Sequence, residues 1–263
     1  MFYKKLIINA LYFFLFFFPF SLNVKAQNVD YEKLSLDELD NSFENIHDKA
    51  TGEKVCNIFI RKAKKENNIE ALFRAYKFAA FFTKNPKNIK YADSTLTIAK
   101  KINKPYFLAN AFLCSSNIKD INTNSSEGFK DLLLAYKYSQ KTDDNYLKNK
   151  ILYGLASQEV YIGNYKEARE KLLISKNYFE ENFHKKEVGK DYPMFYFYST
   201  VSLIDTNTKL SNQSENNLLY KEAYKKINLN INYNKYKAYF LSCEGTDAYY
   251  NKDYALAISK LNE

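Results

Sequence analysis

The sequence predicts an all-α protein of about six antiparallel helix pairs, and three observations predict it. Six glycines and four prolines in 263 residues leave too few turn residues for a β chain. Apolar residues recur three and four apart along almost the whole length, the period of an amphipathic helix. Short polar breaks such as Asn85-Pro86, Asn103-Lys104-Pro105 and Gly163-Asn164 cut that periodicity into helix-sized pieces.

In chain order, Lys4 and Lys5 precede an apolar run from Leu6 to Leu22, followed by Asn23-Val24-Lys25-Ala26-Gln27. A basic start, a short apolar run and small residues at Val24 and Ala26 predict a signal peptide, residues 1–26, cleaved after Ala26. The run is short for a spanning helix, which needs about 20 apolar residues, and it contains Asn9 and Pro19. Residues 27–68 read as an N-terminal capping helix pair. Ser35-Leu36-Asp37-Glu38 is a capping box opening a helix with Leu36, Leu39 and Phe43 on one face. Val55, Ile58, Phe59 and Ala63 follow on a second helix that ends in basic residues, as suits a helix C-terminus.

Residues 69–263 read as repeats. Expected helices run over 71–83 and 88–102, 106–118 and 127–140, 145–162 and 165–179, 193–209 and 213–227, then 233–250 and from 253 onward. The clearest unit is Leu152-Tyr153-Gly154-Leu155-Ala156 with Gly163-Asn164-Tyr165-Lys166-Glu167-Ala168. Ala92, Leu96 and Ala99 repeat its second-helix spacing, as do Gly128, Leu132 and Ala135. Gly245 with Tyr254-Ala255-Leu256-Ala257 repeats it again, and Asn217, Lys221 and Tyr224 form a weaker copy. One helix pair cannot bury both of its apolar faces, so such units must stack.

This pattern resembles the tetratricopeptide repeat, whose minimal period is about 34 residues. The resemblance implies a right-handed superhelix in which Ala92, Ala99, Gly128, Ala135, Ala156, Gly163, Tyr165, Ala168, Gly245, Tyr254 and Ala257 carry the packing between helices. Leu152 falls at the family's aromatic position, and Glu159 stands where a tyrosine is usual. The anchors at 92, 128, 168, 217 and 257 lie farther apart than that minimum, so the units are longer than consensus. Carried over residue by residue, the family's groove positions are Lys77, Phe81, Asn110, Asn117, Tyr153, Ser157, Tyr161, Tyr239, Ser242, Thr246 and Tyr249. Tyr, Asn and Ser in that mixture suit recognition of a protein or peptide partner.

A phenylalanine-rich leader ending in Gln27, then Leu36-Asp37-Glu38-Leu39 and Phe43-Glu44-Asn45, then Arg61 to Glu66 and degenerate repeats, resembles one group more closely. That group is the periplasmic sensor region of Bacteroidetes membrane-bound regulators with an AraC-type helix-turn-helix. The resemblance implies a periplasmic location, a homodimer, and signal transduction through a transmembrane segment C-terminal to the repeats to a transcription-regulating domain. A free-standing periplasmic scaffold and the sensor region of a histidine kinase are the alternatives. No second apolar span follows residue 26, and the last repeat stops before its second helix is complete. The chain is therefore expected to be a fragment or a truncated reading frame.

The remaining chemistry is sparse, and no enzyme, cofactor or metal is expected. His47 and His184 lack neighbours at metal-ligand spacing. Neither a phosphate-binding glycine loop nor a Gly-x-Ser-x-Gly motif occurs. Asp143-Asp144 and Glu180-Glu181 are adjacent pairs, which diverge on a helix rather than converge. Asn124-Ser125-Ser126 matches a glycosylation sequon that a bacterial protein would leave unused. Cys56, Cys114 and Cys243 are odd in number and widely spaced, each expected on its own helix. The net charge of +9, or +6 after loss of Lys4, Lys5 and Lys25, is dispersed among acidic residues. No basic stripe marks one element, so direct nucleic-acid binding is not expected.

Overall fold

The computed structural model describes residues 29–122 and 125–263. The expected leader, and Asn124 of the sequon, lie outside them. Packing separates residues 1–34 from a unit of Ser35–Glu263. Within the first unit, residues 29–34 form a turn carrying a Lys33–Asp30 ion pair of 3.3 Å. The description below concerns the second unit.

Twelve α-helices make up Ser35–Glu263 among the described residues, with one isolated bridge, Glu187 to Lys190, and no strand. They are α1 (Leu36–Ser42), α2 (Lys49–Lys65), α3 (Ile69–Phe82), α4 (Lys87–Ile102), α5 (Pro105–Ile121) and α6 (Ser125–Ser139). There follow α7 (Asn145–Tyr161), α8 (Tyr165–Glu181), α9 (Tyr192–Lys209), α10 (Asn216–Ile227), α11 (Lys237–Tyr250) and α12 (Tyr254–Asn262). The helix starts follow side-chain chemistry. Ser35 and Glu38 close the capping box, Ser35 Oγ accepting from Glu38 N and Glu38 Oε2 accepting from Ser35 N. Asp48, Asn68, Asp144, Asp191 and Asp253 each accept a backbone N–H three residues on. Asn103, in the left-handed region, ends α4. Gly163, at φ +85°, makes the tight turn between α7 and α8.

Two expected helices start later than their periodicity implies. Gln213–Glu215 and Ile231–Tyr236 are 3₁₀ turns leading into α10 and α11. Such turns keep side chains in near-helical register, so they read as helix in sequence.

Each helix packs on its chain neighbours, and α1 with α3, α3 with α5, α7 with α9 and α9 with α11 also touch. The odd-numbered helices are thus flanked on several sides. α5 buries residues around much of its circumference, including Phe107, Leu108, Ala111, Phe112 and Cys114. α9 does the same with Tyr192, Phe195, Tyr196, Phe197 and Leu203. A helix covered on all sides has no polar stripe to show.

The even-numbered helices carry small or compact residues seven apart at the crossings. Ala92 and Ala99, Gly128 and Ala135, Ala168 and Ser175, Asn216 and Ala223 are all buried, as is Ala257. On α10 this differs from the expected register: Asn217 and Lys221 are exposed, Tyr224 is half-buried, and the buried face is Asn216, Tyr220 and Ala223. The reason is polar. The Asn216 amide donates to Asp247 Oδ2 at 2.8 Å and the Tyr220 hydroxyl donates to it at 2.7 Å, so α10 turns this face toward a buried carboxylate on α11. Ala156 on α7 is fully buried. Gly163 and Tyr254 are exposed and Tyr165 is half-buried, so these three sit at turns and surfaces rather than inside a crossing.

Candidate functional site

Three odd-numbered helices bring their side chains to one hollow. From α3 come Arg74, Lys77 and Phe78, from α5 Tyr106 and Asn110, and from α7 Tyr146, Leu147 and Lys150, around a cavity of about 340 Å³. Its outer wall is the loop between α8 and α9, through Val188, Gly189 and Lys190. On the far side of that loop lies a second cavity of about 910 Å³, lined among others by Phe183, His184, Pro193, Phe195 and Tyr233. Lys150 lines both.

The loop is fastened where it crosses. Gly189, at φ +72°, donates its N–H to Glu44 Oε1 at 2.8 Å. The Asp191 N–H reaches the Tyr146 hydroxyl at 3.0 Å, and the Tyr192 hydroxyl donates to Glu187 at 2.7 Å. Lys190 pairs with Glu187 at 2.9 Å, lies 3.8 Å from Asp144, and stands over the Tyr146 ring. Burial opposes its charge, yet the Glu187 and Asp144 carboxylates hold its pKa above the ordinary lysine value.

Two cations in the hollow lack such partners. Among the described residues, neither Lys77 nor Lys150 has a carboxylate within 4.0 Å. Lys77 stands over the Phe78 ring at 5.5 Å and Lys150 over the Phe195 ring at 5.4 Å. Nearby acids are engaged elsewhere. Asp40 pairs with Arg74 at 2.8 Å, Asp144 caps α7, and Glu44 holds the loop. Burial pushes Lys77 down, and burial together with the Lys77 ammonium brings Lys150 down to about 8. The buried Cys114 thiol, which both lysines sense, is pushed up to about 12 by burial. Burial likewise raises Tyr106, and takes Tyr146 to about 12. The hollow thus offers the cations Arg74, Lys77, Lys150 and Lys190, the carboxylates Asp40, Glu44 and Asp144, neutral phenols and an amide. It presents no converging acid, base and nucleophile.

The groove positions expected from sequence fall in several places. Lys77 and Asn110 meet in the hollow. Phe81 is exposed on α3, and Asn117 is half-buried on α5. Tyr153 packs edge-on against Phe195, and the Ser157 hydroxyl donates to its own helix at Tyr153 O. Tyr161 is 81% exposed beside a separate cavity of about 280 Å³ with Ser126, Phe129 and Ile162. Tyr239 is exposed and meets the Tyr198 ring. Ser242 lines a cavity with Lys237 and Lys260, whereas Thr246 and Tyr249 line an apolar one against α12. The eleven positions thus fall at several cavities and surfaces, two of them in the hollow.

Lys150, Arg74, Tyr106 and Tyr146 were missed, although a signal exists for each. Lys150 lies three residues before Tyr153, Tyr146 seven before it, Arg74 three before Lys77, and Tyr106 four before Asn110, all on the faces already chosen. On α7 the hollow sits about one turn nearer the helix N-terminus, at Lys150, than the selected Tyr153.

The other candidates resolve into structure. His47 and His184 are exposed, and no group of three metal-ligating side chains converges among the described residues. Cys56, Cys114 and Cys243 are free, each on its own helix. Asp144 is a helix cap, and Glu180 pairs with Lys176 at 2.6 Å and Lys226 at 3.5 Å. Among the described residues, no helix is long and apolar enough to cross a membrane. No protein-family model matches this chain, and no curated protein is significantly similar to it.

Proposed function

We propose that Ser35–Glu263 is a tetratricopeptide-like, non-catalytic binding module that holds an acidic peptide segment of a partner protein in the hollow between α3, α5 and α7. The observation that carries this reading is that Lys77 and Lys150, in a cavity also lined by Tyr106, Asn110 and Tyr146, have no carboxylate within 4.0 Å, Asp40 and Asp144 acting on them only from farther off. Both lysines are half-buried, and a ligand carboxylate would favour the ammonium form that this partial burial disfavours. The aromatic and amide lining suits an extended chain. Small residues at seven-residue intervals and the contacts between alternate helices support superhelical stacking. The leader-like residues 1–26 support export to the periplasm. In that compartment the module would serve as a sensor whose occupied state is passed to a regulatory partner.

The test is fluorescence anisotropy with a labelled decapeptide of alternating Glu and Tyr, against the same peptide with Gln for Glu. The reading expects saturable, salt-sensitive binding of the acidic peptide only, lost in the Lys77→Met/Lys150→Met variant. Equal binding of the two peptides, or none, would overturn it.

A further inference from the structure

We propose that the cavity of about 910 Å³ beyond the α8–α9 loop is a second subsite for the same ligand, taking a large aliphatic side chain that lies next to the acidic residues held in the hollow. This rests on the peptide reading and narrows it, from an acidic segment to an acidic segment with an apolar anchor.

The two spaces are continuous. Glu44, Tyr146, Lys150, Val188, Gly189 and Lys190 line both, so the cavities meet where the loop crosses and one extended chain can occupy the two. The far wall of the larger cavity is the connection between α10 and α11, through Leu229, Asn230 and Tyr233. Apolar surface lies open on both walls. Val188 on the α8–α9 loop is 69% exposed and Leu229 is 59% exposed. Val188 cannot simply fold inward, because its neighbours are tied: Glu187 to Tyr192 and Lys190, and Gly189 to Glu44. Pro193, Met194 and Tyr233 between the walls are half-buried. A ligand side chain set among these residues removes apolar surface of both partners from water. The space is concave and within the range of about 300–1,000 Å³ usual for ligand pockets, which suits an inserted side chain better than a flat surface.

Charge favours the same ligand. The cations at this cavity are Lys150, Lys185, Lys186 and Lys190, beside His184, and the carboxylates are Glu44, Glu187 and Asp191. All three carboxylates are engaged: Glu44 by the Gly189 N–H, Glu187 by Lys190 and the Tyr192 hydroxyl, Asp191 by the α9 cap. Lys185 and Lys186 have no carboxylate within 4.0 Å among the described residues, Glu187 acting on Lys185 only from farther off. An apolar anchor with acidic residues on both sides therefore finds cations at each end, Lys77 and Lys150 in the hollow and Lys185 and Lys186 at the outer rim.

The experiment measures fluorescence anisotropy of the full chain with two labelled decapeptides of equal charge. One is four Glu, Gly-Leu-Leu-Gly and two Glu; the other has Ser-Ser in place of Leu-Leu. The Leu peptide should bind about tenfold more tightly, from burial of its side chains. Leu229→Ser, at an exposed position outside the hollow, should cut that advantage to about threefold or less and leave the affinity for the Ser peptide unchanged. Leu229→Met should retain it. Circular dichroism of both variants should match the unmutated chain. Equal affinity for the two peptides, or a Leu advantage that survives Leu229→Ser, would overturn this subsite. Salt-sensitive binding of both peptides at equal strength would do so while the reading of the hollow stands, whereas binding of neither would remove both.

Discussion

Lys150 is where the fold tolerates an unfavourable charge. Its amine is lowered from the ordinary lysine value of 10.5 to about 8, chiefly by burial. Below pH about 8 both folded and unfolded chains hold the proton, and the folded state bears the full penalty of a charged, unpaired amine. Between about 8 and 10.5 the unfolded chain retains a proton that the folded chain has released, so this contribution to stability rises with pH. Lys150→Met should therefore raise the melting temperature at pH 7, by about 2–4 °C for a stabilisation of about 1 kcal/mol. The gain should vanish by pH 10.5. A scan of melting temperature against pH on both proteins checks the sign. Two glycines give a second contrast at this scale. A Cβ on Gly128 would lie 2.4 Å from Asp120 Oδ1 and 3.2 Å from the Ser116 backbone oxygen, where α5 and α6 cross. A Cβ on Gly154 would meet only Leu132, at an ordinary 3.4 Å. Gly128→Ala should destabilise by about 1–2 kcal/mol, overpacking outweighing helix propensity. Gly154→Ala should stabilise by about 0.5–1 kcal/mol. Chemical denaturation of the two variants should show opposite signs.

At the scale of elements, the loop between α8 and α9 is the part that periodicity could not foresee. It makes one wall of the hollow through bonds to Glu44, Tyr146 and Asp144, residues remote in sequence. Tyr146→Phe removes the hydroxyl that receives the Asp191 N–H. The expected loss is about 0.5–1.5 kcal/mol, with faster amide exchange in residues 184–191 and unchanged exchange in α2. Uniform acceleration through the chain would mean that the loop has no separate stability. The helices themselves were legible because their caps and apolar spacing agree: Ser35, Asp48, Asn68 and Asp144 each mark a start. α10 was misread by one residue because its buried face, with Leu219, Ala223 and Ile227, opens on the polar Asn216. Asn216 bonds Asp247 on α11 and Asn207, Ile204 O and Thr208 on α9, and Tyr220 bonds Asp247, so a single-helix pattern carries no trace of these partners. The hollow was half legible for a related reason. Lys77 and Asn110 stood on the chosen faces, but which turn of each face becomes concave depends on how the loop crosses it.

Across the whole Ser35–Glu263 unit, Lys77, Asn110 and Lys150 come from α3, α5 and α7, so no single pair of helices contains the hollow. Ligand charge and the protonation of Lys150 are consequently linked. An anion between Lys77 and Lys150 favours the charged amine, so binding near its pKa must draw a proton from solution. The direct measurement is calorimetric titration of the acidic Glu-Tyr decapeptide at pH 8 in two buffers of different ionisation enthalpy. A hollow that uses its lysines as the anion site gives net proton uptake in the wild-type chain and none in Lys150→Met. Binding with no buffer dependence, or uptake that persists without Lys150, would contradict the assignment of these two lysines as the ligand's partners.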